Sequence, residues 1–307
     1  MRRARYKRRV RIERAPGVSC ARLLPNDLSL GAFAGESLTY SMLTSSPIRD
    51  ILTADSMKGI DDMQITRTPF VIAGLVMLCF NVCFAIVIRH DVPDEDYRVL
   101  NREFPSFVSL SNGCGGTLIA PNWVLTARHC IGGDGDVSLV VFAKQTYKIA
   151  EIIAYGQADL ALLELDEHMA DVEPAELYKR SDEEGKIAVL VGRGGTGNGL
   201  AGDITMDRQL RRARNKIEEA TLPSQNPFFI DASAVLVFEM NEPSSALDLE
   251  GVGGPGDSGG PAYIVTDEGT FIAGVSSYGS WLYGDVDHYV RVSQYLEWIE
   301  SLIATNN

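Results

Sequence analysis

Positive charge is scarce over most of this chain. Its 307 residues include 28 Lys and Arg against 41 Asp and Glu, a formal net charge of −13. Residues 1–85 hold 12 Lys and Arg and 7 Asp and Glu, so the +5 of that stretch leaves −18 for residues 86–307. A surface that binds nucleic acid must be basic enough to neutralise phosphates. The acidic body therefore argues against nucleic acid as a partner.

Cysteine and histidine are also few. Only Cys114 and Cys130, of five cysteines, lie in the acidic body, together with all four histidines. No group of Cys, His and acidic residues has the spacing of a zinc site, and no calcium-loop motif is present, so we expect neither a metal nor a cofactor. The two cysteines are either buried thiols or a disulfide. The disulfide is favoured, because it would join two strands, and it indicates an oxidising compartment.

Residues 1–56 show no sustained periodicity of either helix or strand type, and nine Lys and Arg fall within residues 1–22. We interpret residues 1–69 as a basic, disordered leader or as sequence upstream of the true start codon. The apolar run that follows has only Asn81 as a polar break. Residues 70–85 are predicted to be a signal peptide, and the alternative is a membrane tether through residues 70–88. Either outcome places the body outside the cytoplasm, as a secreted, periplasmic or membrane-anchored protein.

Short runs of β-forming residues fill the chain beyond residue 86, each bounded by Gly, Pro, Asn or Asp. Helical periodicity is nearly absent until residues 292–302, where apolar side chains recur at helical spacing. This pattern predicts an all-β barrel or sandwich with one C-terminal helix. The densest charge run, Arg208–Glu219, is interpreted as a solvated strand or hairpin rather than a binding site. The main predicted strands are Phe107–Leu110, Gly116–Ile119, Trp123–Thr126, Val137–Phe142, Tyr147–Ala154, Leu160–Leu165, Ile187–Val191, Val235–Phe238, Ala262–Val265, Phe271–Val275 and Tyr289–Val292.

One loop, GVGGPGDSGGPA at Gly251–Ala262, is too rich in glycine for a stable helix or strand. It is either a glycine-rich surface turn or a loop that holds Ser258 beside backbone N–H donors as a nucleophile. A nucleophilic serine needs a base and an acid that orients the base. His129 follows the apolar run WVLTA directly, and Asp159 stands at the start of the apolar run ADLALLEL, where an aspartate needs a hydrogen-bond partner.

The motifs GTLIAPNWVLTARHC, ADLALLEL and GDSGGP occur in this order along the chain. In these motifs the sequence resembles the trypsin/chymotrypsin family of serine endopeptidases, in which the catalytic residues follow the order His, Asp, Ser. The resemblance covers about residues 86–302. It implies an all-β fold of two antiparallel, six-stranded β-barrels with a C-terminal helix, and a protease domain at residues 86–307.

The resemblance also implies a role for each matching residue. Ser258 would be the nucleophile, His129 the general base and then the general acid, and Asp159 the group that orients His129. The backbone N–H groups of Gly256 and Ser258 would form the oxyanion hole.

Asp257 would pair with a new N-terminal ammonium group that is created by proteolysis. Cleavage after Ala85 would expose Ile86, which lies 28 residues before Cys114, a distance close to that in the family. We therefore hypothesise that signal peptidase itself generates the active form. The Ile-Val-Gly-Gly start that is usual in the family reads Ile86–Arg89, IVIR, in this chain, so this part of the match is incomplete.

The predicted specificity pocket departs from that of trypsin. The position six residues before the nucleophile is Val252 instead of Asp, and the cysteines that close the pocket in the family are absent. Asp287 either enters the pocket and selects a basic side chain or turns to solvent. The residues expected to form the pocket are Val252, Gly253, Ser277, Tyr278, Gly279 and Asp287.

These features together predict a monomeric serine endopeptidase that hydrolyses protein or peptide substrates through an acyl-enzyme. The alternative from another functional class is a catalytically silent binding module on the same fold.

Overall fold

Strands make up most of the fold, which we describe from a computed structural model for residues 9–13, 86–132, 137–200, 204–205, 207–224 and 233–305. In chain order the strands are β1 (Arg9–Glu13), β2 (Val87–Ile88), β3 (Phe107–Leu110), β4 (Gly115–Ala120), β5 (Trp123–Thr126), β6 (Leu139–Phe142), β7 (Gln145–Tyr155), β8 (Ala161–Leu165), β9 (Glu176–Leu177), β10 (Ile187–Gly192), β11 (Arg211–Ala220), β12 (Val235–Glu239), β13 (Gly251–Val252), β14 (Pro261–Thr266), β15 (Gly269–Gly279) and β16 (Val286–Arg291). The α-helices of the described residues are α1 (Asp94–Tyr97) and α2 (Leu296–Thr305), and short 3-10 helices span Asn101–Glu103, Arg128–Ile131 and Val292–Gln294.

The first barrel consists of six antiparallel strands in the order β7-β6-β3-β4-β5-β8, and β7 pairs with β8 to close the ring. Strand β5 is buried at all four of its positions. Its sequence, WVLT, is a continuous β-forming run, as expected for a strand covered on both faces. Closure leaves no open edge in this part of the sheet.

The second barrel is built in the same way, in the order β14-β10-β11-β12-β16-β15, with β14 pairing β15 to close the ring. The predicted fold of two six-stranded antiparallel barrels is therefore confirmed. Two short strands extend the sheets by parallel pairing: β9 on β15, and β1 on β7. Strand β1 lies within the predicted leader, and no other residue of 1–85 is among the described residues.

The charged run is strand β11, in the middle of the second barrel, so a fully solvated strand was the wrong interpretation. Alternate side chains point inward and are buried, namely Arg211, Ala213, Asn215 and Ile217. Arg211 is 0% exposed, and its guanidinium binds the carboxylates of Asp94 and Asp207. Ion pairing and hydrogen bonding on both sides offset the desolvation of that charge.

The predicted C-terminal helix is confirmed as α2. Its apolar side packs on the hydrophobic core through Trp298, Ile299 and Leu302. Trp298 also makes an edge-to-face contact with Tyr155, at 5.1 Å between ring centroids. Burial of each of these side chains contributes roughly 1.5–3 kcal/mol to folding.

The predicted signal peptide, residues 70–85, lies outside the described residues. The last part of the alternative tether does not: Ile86, Val87 and Ile88 are buried in the hydrophobic cluster of the second barrel. Since they occupy the protein core, these three residues are not part of a membrane segment. Among the residues that the structure describes, no helix is both long and apolar enough to cross a bilayer.

Candidate active site

Asp159 and His129 are in direct contact. Asp159 precedes β8, and His129 lies on the 3-10 helix that follows β5, the strand paired with β8. One carboxylate oxygen of Asp159 accepts the backbone N–H of His129 at 2.8 Å, and the other lies 2.7 Å from the ring Nδ1. An ionised carboxylate is only an acceptor, so Nδ1 carries the proton and Nε2 is left as an acceptor.

The Asp159 carboxylate has a further donor, the hydroxyl of Ser277 at 2.6 Å. Asp159 is 5% exposed. Burial on its own would raise the pKa of this carboxyl group, but the hydrogen bonds and charge of His129, with the bond from Ser277, lower the pKa below its usual value. The aspartate is therefore held ionised. Its backbone N–H is also bound, to the hydroxyl of Ser233 at 2.9 Å.

Ser258 is held against the first barrel through its backbone. Its carbonyl accepts the N–H of Gly115 at 2.8 Å, and the Gly115 carbonyl accepts the hydroxyl of Thr126 at 2.8 Å. Gly259, with φ of +77°, comes so close to Thr126 that a Cβ would overlap the Thr126 hydroxyl. Thr126 is the last residue of β5, three residues before His129. The glycine contact thus brings the serine loop to the end of the strand that carries the histidine.

A disulfide also links the segment that binds Ser258 to the segment that carries His129. Cys114 and Cys130 are joined by a bond of 2.08 Å, which confirms the predicted pairing. Both sulfurs lie within 4.8 Å of a ring nitrogen of His129, but because they are bonded to each other they are not thiolate ligands. The bridge ties the residue before Gly115 to the residue after His129.

Two backbone N–H groups of the serine loop are open. Gly256 has a φ of +97°, in the left-handed region that favours glycine. Among the described residues, no acceptor takes the N–H of Gly256 or of Ser258. A pair of unoccupied donors beside a serine hydroxyl is the arrangement that stabilises an oxyanion.

Asp257, between these two residues, has a buried side chain and is 1% exposed. Its carboxylate accepts the N–H groups of Gly194 at 3.1 Å and Gly254 at 3.0 Å. Burial raises its pKa to about 8, although these hydrogen bonds act in the opposite direction. In the uncleaved chain the nitrogen of Ile86 is an ordinary amide, which brings no positive charge to Asp257.

Ile86 nevertheless lies in the same neighbourhood. It is 0% exposed, and its carbonyl accepts the hydroxyl of Thr196, two residues after Gly194. The next residue, Val87, pairs with Val252 in the short β2–β13 sheet.

Of the residues predicted to form the specificity pocket, Gly253 and Gly279 lie against Asp287. Asp287 is 3% exposed and accepts the N–H of Gly253 at 2.8 Å, and a Cβ on Gly279 would lie 2.5 Å from its carboxylate. Of the two alternatives for Asp287, solvent exposure is therefore wrong. Burial raises the pKa of this carboxyl group well above its usual value, and the nearby charge of Asp257 acts in the same direction.

The other predicted pocket residues differ in how they are used. Val252 is 0% exposed and belongs to the core. The hydroxyl of Ser277 is engaged by Asp159. Tyr278 is 54% exposed, and its ring stacks on His288 at 4.4 Å between centroids. Sequence reasoning missed the contact between Ser277 and Asp159, because the two residues are 118 positions apart and no motif around the serine marks it.

Comparison with known proteins agrees with this geometry. The sequence profile of the family described as Trypsin matches residues 96–299, well over half of the chain. The chain belongs to the trypsin family of serine proteases. Within it, the chain is 30% identical over 197 residues to an uncharacterized peptidase of Corynebacterium glutamicum (strain R), a match that covers 62% of this chain and 63% of that protein.

Animal members of the trypsin family match over more of the chain. Chymotrypsin-like elastase family member 1 of Canis lupus familiaris is 27% identical over 254 residues, or 70% of this chain and 96% of the elastase. The Homo sapiens protein of the same name is 26% identical over the same length.

Proposed function

We propose that this protein is a serine endopeptidase in which Ser258, His129 and Asp159 act together. The observation that carries the proposal is the double contact of Asp159 with the backbone and the ring of His129. It holds the imidazole in one orientation and in the tautomer that leaves Nε2 free to accept a proton. A histidine serving only to pack the fold has no need of such a buried, ionised partner.

In the proposed reaction, Nε2 of His129 takes the proton of the Ser258 hydroxyl as Oγ attacks the carbonyl carbon of the scissile bond. The resulting oxyanion accepts hydrogen bonds from the backbone N–H groups of Gly256 and Ser258. The imidazolium is stabilised by Asp159 and gives its proton to the leaving amine, and an acyl-enzyme remains. Water, deprotonated by the same nitrogen, then hydrolyses the ester and restores Ser258.

For the side chain before the scissile bond we propose an uncharged partner. Asp287 belongs to the proposed pocket, where its carboxyl oxygens accept the backbone N–H groups of Gly253 and His288 and burial raises its pKa well above the usual value. Because burial disfavours the ionised form of Asp287, this residue is a poor source of the fixed negative charge that Lys or Arg requires. The elastase name of two relatives is in keeping with an uncharged preference.

We further propose that cleavage after Ala85 activates the enzyme outside the cytoplasm. The new ammonium group of Ile86 would provide a positively charged partner for the Asp257 carboxylate. The carbonyl of Ile86 already binds Thr196, two residues after Gly194, whose N–H binds Asp257. The disulfide supports secretion or a periplasmic location. N-terminal sequencing of active protein tests this step: a start other than Ile86 would contradict it.

A fluorophosphonate probe, which reacts with activated serines, tests the central proposal. Protein with Ile86 at its N-terminus should be labelled, and Ser258→Ala should abolish both labelling and peptide hydrolysis. Ser245→Ala, at an exposed loop serine, is the matched control and should keep both. Absence of labelling in correctly processed protein would instead favour the silent binding module.

A further inference from the structure

A cavity of about 810 Å³ is lined by strands β3 and β6 of the first barrel, the turns that follow them, Asn101, Arg193 and Arg208. One wall is the segment Leu110–Gly113, which leads directly into Cys114 and Gly115, where the Ser258 carbonyl is bound. The lining also includes Arg193, next to Gly194, whose N–H binds Asp257. The cavity is thus connected to the serine loop through Gly115 and through Gly194. We call this space the basic cavity.

The charge of the basic cavity is opposite to that of the molecule. Three cationic side chains line it, Lys144, Arg193 and Arg208, and none of the described residues that line it is Asp or Glu. Among the described residues none of the three forms an ion pair, although the body of the protein is strongly acidic.

Arg193 is the best placed of the three. Its side chain is half-buried, and its guanidinium donates to two neutral oxygens, the carbonyl of Arg208 at 3.0 Å and the side-chain oxygen of Asn101. Desolvation lowers its pKa, and no described carboxylate acts against that effect. Two contacts leave part of its five-donor fork unused. A partly desolvated cation that has no counter-ion is stabilised when it binds an anion.

The direction of a bound substrate follows from the proposed function, on which this inference rests. The residue before the scissile bond would occupy the pocket that contains Gly253 and Asp287, and the scissile carbonyl would lie over Gly256 and Ser258. The cavity wall Leu110–Gly113 leads to Gly115, the partner of the Ser258 carbonyl, so an extended chain that continues past Ser258 and away from Gly253 would enter the basic cavity. Its apolar floor, Phe107 and Phe142, can accept the stem of a side chain.

We propose that the basic cavity binds a carboxylate carried by the substrate within the first few residues after the scissile bond. Arg193 and Arg208 are the specificity-determining residues, and Lys144 adds to their charge. The carboxylate comes from an Asp or Glu side chain or from the C-terminus of a short peptide. The protein would thus combine an uncharged preference before the bond with an acidic preference after it.

Quenched fluorescent peptides test this proposal. The peptides share one sequence before the scissile bond, have amidated C-termini and carry Glu or Gln at each of the three following positions in turn. A second set carries Gln throughout and ends at the third position as a free acid or an amide. The readout is the ratio of kcat/KM within each pair, which does not depend on the fraction of active enzyme.

We expect Glu to exceed Gln by about 5- to 10-fold at one position in dilute buffer, and the ratio to fall towards one in 0.5 M salt, as for other partly exposed ion pairs. The double variant Arg193→Gln/Arg208→Gln should lose the preference, and Arg208→Glu should prefer Lys over Gln there. Arg180→Gln, an exposed arginine paired with Glu268, is the matched control and should keep the wild-type ratio. If the free acid alone is preferred, the C-terminal carboxylate is the group that binds.

Wild-type ratios near one in both sets, or an acidic preference that survives the double variant, would overturn the inference while leaving the peptidase proposal intact. Failure to cleave any peptide, together with absence of fluorophosphonate labelling, would overturn both.

Discussion

Asp159, which binds His129, and Asp257, which lies within the serine loop, are both buried aspartates, and their pKa values shift in opposite directions. Asp159 receives a ring N–H, a backbone N–H and a hydroxyl, and its pKa falls. Asp257 receives backbone N–H groups in a drier place, and its pKa rises to about 8. Burial by itself therefore does not decide the charge of a carboxyl group; the number and charge of its donors do.

This difference has opposite consequences for stability. Asp159 has a lowered pKa in the folded state, so its contribution is present above its unfolded pKa and is lost as the pH falls through the folded value. Asp257 has a raised pKa, so the folded chain holds a proton that the unfolded chain has released between about pH 4 and 8. Over that window, rising pH destabilises the uncleaved chain through Asp257.

Replacement of Asp159 by Asn should have the largest effect. The amide has no negative charge to stabilise an imidazolium, and its NH2 group can donate to Nδ1 and select the wrong tautomer. We therefore expect kcat to fall by about 10⁴-fold, the size of effect known for this change in a Ser-His-Asp triad. Burst kinetics with an active-site titrant measure it. A loss below tenfold would show that Asp159 only supports the fold.

Replacement of Asp257 by Asn should come next. An amide does not ionise, so the uncleaved Asp257→Asn chain should lose less stability than the uncleaved wild type between pH 5 and 8, by an amount on the order of 3–5 kcal/mol. Denaturant unfolding at several pH values measures it.

After cleavage before Ile86, the wild type should be more stable than the Asp257→Asn variant, because the amide of the variant cannot form an ion pair with the new ammonium group. Equal pH dependence of wild type and variant in the uncleaved chain would contradict a protonated Asp257.

Replacement of Ser277 by Ala should have a smaller effect. It removes one of several hydrogen bonds to Asp159, worth about 1 kcal/mol, so kcat should fall by less than tenfold. The pH profile of kcat/KM separates a positioning role from a purely structural one, since loss of this donor weakens the hold on the ionised carboxylate. An unchanged kcat and pH profile would make the contact incidental.

Replacement of Asp287 by Asn should have the smallest effect. If Asp287 is neutral at pH 7, an amide of the same shape should change the kcat/KM ratio between substrates with Lys and with an uncharged side chain before the scissile bond by less than about threefold. A selective loss of Lys cleavage beyond tenfold would show that Asp287 is ionised and selects basic residues.

Much of the fold was predictable because the local pattern is strong. The run WVLT was predicted as a strand with its correct ends, and the apolar spacing near the C-terminus predicted α2. Strand β11 was only partly recognised. Buried and exposed positions alternate along this strand, but the pattern is interrupted in the sequence because a charged residue, Arg211, takes one of the buried positions. Only the ion pairs of Arg211 with Asp94 and Asp207 explain why an arginine can be buried there.

The sequence by itself determined the family motifs, the candidate residues Ser258, His129 and Asp159, and the pairing of Cys114 with Cys130. Short motifs carry these features, because a nucleophile loop or a histidine before a cysteine is a local arrangement. Tertiary structure decided which carboxyl groups are charged and which cations lack partners. The burial of Asp287 and the gathering of Arg193 and Arg208 into one cavity depend on contacts between residues distant in the chain, and no local pattern encodes those contacts.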